Sequence, residues 1–357
     1  MSTSLLKYCL TLLVLTAVTG CSQLGYYGQA VQGQLSLLQM ARPVDGLLDS
    51  PDTPQQLKAR LLAARQMRQF AVDELGLPDN RSYRNYAQLE QPYVLWNVVA
   101  AAKLSLTPLS WCFPIAGCVT YRGYYKYDAA QEFAQQLRSE GYDVRVEGVP
   151  AYSTLGWFND PLMSTFINAP DASLARLIFH ELAHQVVYVK DDSAFNESFA
   201  TTVEQAGVER WLNEFGDDAM RRNYKNEEHR RQEFLALLQT YRRKLETLYQ
   251  SSVDDQQKLQ GKAEIFLALL QDYQILKTSW GGYAAYDRWF AEPLTNAHFV
   301  SIATYHDLVP GFQAMLAKSA NFQEFYRSVK QLAEQGKVSR TAQLQLWAKQ
   351  QKAANTL

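Results

Sequence analysis

The sequence predicts an α+β chain, predominantly helical, with a small β-sheet before its midpoint and a long helical C-terminal part. Three observations carry that expectation. Apolar residues recur at three- and four-residue spacing from 28 to about 76, and again almost everywhere after 170. Between these stretches lie short runs rich in β-branched and aromatic residues, some of them alternating, as in Asp143-Val144-Arg145-Val146-Glu147. The composition is globular: 357 residues, 47% apolar, with a formal net charge of -1. So even a balance gives no electrostatic footprint for a polyanion, and nucleic acid is not an expected partner.

Taken in order, the chain opens on "MSTSLLKYCLTLLVLTAVTGC", with Lys7, an apolar stretch from Tyr8 to Val18, and small residues before Cys21. Residues 1–20 read as a secretory signal peptide, too short to remain as a membrane span. "VTGC" has the form of a bacterial lipobox, which would make Cys21 the lipid-modified first residue of the mature chain. Acyl chains contribute about 0.8 kcal/mol per buried methylene, so such a chain is anchored to a membrane without crossing it. Ser22 in place of an aspartate matches sorting to the outer membrane, and the expected location is the bacterial envelope, facing the periplasm.

"LLQMARPVDGLL" and "LKARLLAARQMRQFAVDEL" predict two helices broken at Pro43 and Gly46. "YVLWNVV", "KLSLT", "GCVTY", "DVRVEGV" and "STFIN" predict the strands. A helix interrupts them, capped by Asp128, running on Ala130, Phe133, Ala134 and Leu137, and stopped by Gly141. Cys112 and Cys118 close a loop containing Pro114 and Gly117, and an exported chain would join them as a disulfide; no second cysteine pair or nearby histidine completes a metal site there. The charged segment 220–250 mixes both signs at i,i+4 spacing, the pattern of a solvated helix face. Neither an internal repeat nor a low-complexity linker is present, so residues 21–357 are expected to form one unit, with any subdivision near Pro150.

The chemistry concentrates in "FHELAHQ", residues 179–185, and "FNESFATTVEQ", residues 195–205. Pro170 and Asp171 signal the start of a helix with a core stripe of Leu174, Leu177, Ile178 and Leu182. Positions four apart on a helix differ by about 40° and 6 Å of rise, so His180 and His184 present their rings side by side. Two such imidazoles can bind one zinc ion, and Glu181 can reach a metal-bound water without ligating the metal. A catalytic zinc takes three protein ligands, and Glu197 is the candidate third, near the start of a second helix capped by Ser193 or Asp192 and buried on Phe195, Phe199, Val203 and Ala206.

"HELAHQ" followed by "NESFA" resembles the zinc aminopeptidases of the gluzincin clan, and the stretches "AYSTLGWFNDPL", "FNESFATTVEQAG" and "NAHFVSIATYHDLVPGF" extend the resemblance to predicted bacterial lipoprotein aminopeptidases. The resemblance implies a zincin-like fold, one zinc ion held by His180, His184 and Glu197, Glu181 as general base and acid, and a peptide or protein substrate. It also implies an oxyanion donor from the downstream helices: Tyr305 is the candidate, with His306 and His298 behind it. Two departures stand out. Only 12 residues separate His184 from Glu197, which requires a tight return between the helices. Thr201 occupies the position where thermolysin-like enzymes carry an aspartate that orients a zinc histidine, which leaves Glu204, a turn further on, as the candidate for that role. In enzymes of this type a sheet edge beside the metal pairs with the substrate, and "AYSTLGWFNDPLMSTFIN" is the expected edge, with Trp157 and Phe158 walling a side-chain pocket and Asp160 or Glu204 a candidate for holding the α-amine. The competing readings are an envelope endopeptidase and a non-enzymatic, zinc-containing lipoprotein scaffold.

Overall fold

The computed structural model describes residues 25–113, 117–154, 156–300 and 308–354. Cys21, Tyr305 and His306 therefore lie outside the described residues, as does the leader. Among the described residues no helix is long and apolar enough to cross a membrane.

The chain is predominantly helical with small sheets, consistent with the α+β expectation. Residues 25–40 form helix α1, followed by the short strand β1 (Arg42–Pro43), α2 (Val44–Asp49) and α3 (Gln55–Asp73). The break falls at Pro43, as expected, but Gly46 sits inside α2; the second interruption is at 50–54, where Pro54 opens α3. Six further strands follow: β2 (Asn85–Ala87), β3 (Leu95–Ala102), β4 (Trp111–Phe113), β5 (Gly117–Val119), β6 (Arg122–Tyr124) and, after α4 (Tyr127–Ser139), β7 (Tyr142–Val149). Lys126 rather than Asp128 is the N-cap of α4, and Asp128 lies within its first turn. Gly141, at φ +94°, lets the chain reverse out of α4.

The sheet that matters for the site has the order β6-β3-β7, antiparallel throughout, with β3 and β7 paired from Leu95↔Val149 to Ala102↔Tyr142. The strand period of two gives the faces of β3 different roles. Trp96, Val98 and Ala100 pack against Ala130, Ala134 and Leu137 of α4. Leu95 and Asn97, on the other face, line a cavity. Further along that second face, Val99 and Ala101 pack on Ala297 and Val300.

Two expected strands are absent. "KLSLT" begins as the turn that ends β3, and "STFIN" is a series of turns, because only Leu162–Met163 (β8) pairs there, parallel to β2 in a separate sheet with β1. β4 and β5 form a hairpin in which Cys112 and Cys118 are joined.

From residue 171 the chain is almost entirely helical: α5 (Asp171–Ala183), α6 (Ser193–Phe215), α7 (Asp218–Gln250), α8 (Asp255–Ser279), then α9 (Val309–Lys318), α10 (Phe322–Ala333) and α11 (Lys337–Ala354). Leu174, Ile178 and Leu182 are fully buried and Leu177 partly so, as their spacing predicts. The largest hydrophobic cluster draws on α3, α5, α6, α9 and α10, and takes residues from both sides of Pro150. Gly207 lets α6 approach closely: a Cβ there would meet Leu75 at 2.6 Å and Phe179 at 2.9 Å. The pair α7 and α8 has its own core around Phe234, Tyr241, Leu245 and Tyr273.

Candidate metal centre

Helix α5 begins at Pro170, where Arg60 donates to the carbonyls of Ile167 (2.9 Å) and Ala169 (2.6 Å) and pairs with Asp171 in the first turn. It ends at His184, its C-cap, so His180 and His184 share the last turn. The twelve-residue return is closed by Asn196, whose side chain accepts from Val189 N at 2.7 Å and donates to Val189 O at 2.8 Å. Asp192 caps α6 by accepting from Phe195 N at 3.4 Å; its other oxygen receives two bonds from Arg340, at 2.8 and 2.6 Å. Both residues are buried, so α11 holds the start of the helix that carries Glu197.

The three candidate ligands converge. Nε2 of His180 is 3.1 Å from Nε2 of His184 and 3.3 Å from Glu197 Oε2, and Nε2 of His184 is 3.6 Å from Glu197 Oε1. Four donors at zinc bond lengths of about 2.0 to 2.1 Å in a tetrahedron stand roughly 3.3 to 3.4 Å apart, so these separations fit one small cation. The donor set, two imidazoles and a carboxylate, fits zinc as well.

Behind the first histidine lies a second layer. His180 Nδ1–H donates to Glu204 Oε2 at 2.8 Å, and Arg176 Nε donates to Glu204 Oε1 at 2.8 Å. Glu204 is only 3% exposed. With a metal bound, this bond would hold the proton on Nδ1 and direct Nε2 at the ion. His184 Nδ1, by contrast, is buried with no hydrogen-bond partner among the described residues, so packing must set that ring's orientation.

The electrostatics follows the geometry. Burial alone would depress His180, but hydrogen bonds to Glu197 and Glu204 outweigh it and raise its pKa well above the ordinary value. Burial would raise Glu204, yet Arg176 and then His180 hold it below the usual carboxylate range. Burial likewise opposes Glu197, and the two histidines lower it. Burial drives His184 down to about 4. Glu181 is pushed up to about 7 by burial, opposed by His180 and reinforced by Glu197, Asp160 and Glu204.

His180, Glu181, His184 and Glu197 open into a cavity of about 440 Å³, within the size range of small-molecule sites. Its far walls are aromatic: Tyr26 from α1, Phe113 and Tyr121 from the segment carrying the disulfide hairpin, Tyr125, Tyr152, and Tyr188 from the turn after α5. The hairpin is clipped over the site where Cys118 N donates to Asp191 Oδ1 at 2.6 Å.

The remaining sequence candidates lie elsewhere. Trp157 is 69% exposed and, like Asp160, is not among the cavity's lining residues. Asp160 is 3% exposed and spends its carboxylate on its own loop, accepting from Thr154 N at 3.0 Å and Thr154 Oγ1 at 2.7 Å. Asp160 thus folds back on Thr154, residues 156–160 form no strand, and of the expected edge Ala151, Tyr152 and Ser153 line the cavity. His298 is buried beside Trp289, its Nδ1 bonded at Thr295, and lines a separate groove with Arg145. Sequence reasoning missed Arg176, although it lies one turn before His180 on the same face, and missed the tyrosines of the far walls, which no local spacing connects to the helices.

Neither the curated proteins nor the solved structures gave a match. A family model described as "Putative aminopeptidase" matches residues 25–344. The chain belongs to that aminopeptidase family.

Proposed function

We propose that the protein is a zinc-dependent peptidase of zincin-like design, acting as an aminopeptidase on peptide substrates. The single observation that carries this reading is the convergence of His180 Nε2, His184 Nε2 and the Glu197 carboxylate at 3.1 to 3.6 Å on the floor of a cavity. A zinc ion bound there would supply Lewis acidity, lowering the pKa of a water towards neutrality and polarising the scissile carbonyl. Everything else falls to the chain. Glu204, held by Arg176, keeps His180 in its ligating tautomer. Glu181, between the ligands in sequence and open to the same cavity, takes a proton from the attacking water and returns it to the leaving amine.

An oxyanion needs a further donor. Among the described residues Tyr121 suits that role, because it lines the cavity and its phenol is raised above the ordinary value by burial and then by the charges of Glu197, Tyr188 and Glu181. Tyr121 shares the lining of the cavity with Glu181 and Glu197. Tyr125 and Tyr152, which also line the cavity, are bonded to each other at 2.6 Å. The lipobox at Cys21 supports a location on the bacterial envelope, anchored and facing the periplasm.

The test is zinc content and hydrolysis of amino-acid amides by residues 22–357, with Glu181→Gln alongside. About one zinc per chain, turnover in the wild type, and loss of turnover with zinc retained in the variant are expected. Undiminished turnover in Glu181→Gln would remove the glutamate from its role.

A further inference from the structure

Among the described residues strand β6 is an edge strand, paired with β3 on one side only. Its free side borders the cavity through Gly123 and Tyr125, and a side chain of α1 occupies it. Gln29 Nε2 donates to Gly123 O at 3.2 Å, and Tyr125 N donates to Gln29 Oε1 at 3.2 Å. A carbonyl and an amide flanking one residue, here Tyr124, are the groups a parallel neighbouring strand would bond. One side-chain amide therefore takes the place of a strand residue.

Gln34, Gly33 and Tyr26 also seat the helix. Gln34 Oε1 lies within hydrogen-bond reach of the mutually bonded Tyr125 and Tyr152 hydroxyls, 2.9 Å from that of Tyr125. Gly33 lies flat on the Tyr125 ring, so that a Cβ there would stand 2.1 Å from the ring's Cγ. Tyr26 stacks on Phe113 with ring centroids 5.6 Å apart, under the Arg122 guanidinium at 4.0 Å. The face of α1 that makes these contacts also presents Tyr26 and Ala30 to the cavity.

We propose that α1 is the end wall that makes this site an exopeptidase: Gln29 fills the stretch of sheet edge along which residues upstream of the scissile bond would otherwise extend. The inference rests on the zinc-peptidase reading and supplies what that reading lacks, a physical basis for terminal specificity. Extended substrates bind sheet edges through main-chain hydrogen bonds, and here the pair at Gly123 and Tyr125 is already taken. A substrate that ends at its first residue stops short of the wall. One that continues must break both Gln29 bonds and lift α1 from Tyr125. Glu181 and Glu197 are the only carboxylates among the cavity's described lining residues. Discrimination by obstruction needs no other.

The experiment uses the zinc-loaded chain from residue 22, with Gln29→Ala and Gly33→Ala, and two probes: an amino-acid hydroxamate with a free α-amine and the same compound acetylated. Binding is measured by calorimetry, and amide hydrogen exchange over 120–126 is followed with and without zinc. In the wild type the acetylated probe binds at least tenfold more weakly and the Tyr125 amide is protected. Each variant loses that protection and narrows the gap between the probes about tenfold, the worth of one or two lost hydrogen bonds. If Gly33→Ala fails to fold, Gln29→Ala decides. Equal binding of the two probes by the wild type, or an unchanged gap in a variant that has lost protection, overturns the wall. So does an unprotected Tyr125 amide in the wild type, which is readable without metal. Failure of both probes to bind, with Tyr125 protected, counts against the zinc reading instead.

Discussion

Replacing Glu204 by glutamine tests the layer behind the metal ligands. The amide is nearly isosteric: its oxygen can still accept from either His180 Nδ1 or Arg176 Nε, which stand 2.8 Å from the two carboxylate oxygens. What disappears is charge. A hydrogen bond to an ionised group is worth roughly 1.5 to 3 kcal/mol and a neutral one about 0.5 to 1.5, so the exchange costs His180 about 1 to 2 kcal/mol of support for its ligating tautomer. Arg176 keeps 37% of its side-chain surface exposed and can turn to water, so little of the penalty should appear as lost folding stability. The cost falls on the ligand, predicting zinc affinity weaker by about 5- to 30-fold. Chelator competition measures it, with thermal unfolding of the metal-free chain as control. Zinc affinity within twofold of wild type in Glu204→Gln would refute the argument that Glu204 positions His180.

Tyr121→Phe should lower kcat by about 10²-fold or more with little change in KM, the signature of a donor acting on the transition state; an equal rise in KM with kcat unchanged would reassign the residue to binding. Arg340→Ala strips the buried Asp192 carboxylate of both bonds from that guanidinium. Denaturant unfolding should show a loss of about 3 to 5 kcal/mol, and a loss below 1 would mean that Lys337, 3.6 Å from the other oxygen, takes over. Burial, aided by Arg145, drives His298 from its ordinary 6.5 down to about 3. The unfolded chain protonates this group below 6.5 while the folded chain does not, so stability is lost as pH falls from 6.5 towards 3. The slope attributable to it is about 1.4 kcal/mol per pH unit, read as the difference between wild type and His298→Gln, and identical slopes would show that His298 is protonated in the fold.

What could be read from the sequence was local. His180 and His184 share a face because a helix repeats every 3.6 residues, and Asp192 caps α6 because its side chain reaches only its own next turn. Glu204 came within reach of the same reasoning, lying two turns beyond Glu197 on one helix. The rest depended on contacts between distant segments. Neither "STFIN" nor "KLSLT" pairs with a partner strand, and propensity alone supplies none. Asp160 looks like an exposed binding carboxylate in sequence, but Thr154, six residues earlier, turns it inward. Most hidden of all was α1, where nothing local to Gln29 and Gln34 points to their bonds with Gly123 and Tyr125.

The divided labour of β3 bears on how such an enzyme could diversify. Its even-numbered residues hold α4 in place, while Leu95 and Asn97 face the cavity. Changes at those two positions can reshape what the cavity accepts without unpacking α4 from the sheet, whereas a change at Val98 cannot avoid doing so. A family built on this strand can therefore drift in preference at little cost to foldability, and a library limited to residues 95 and 97 is where an altered substrate range should be sought first.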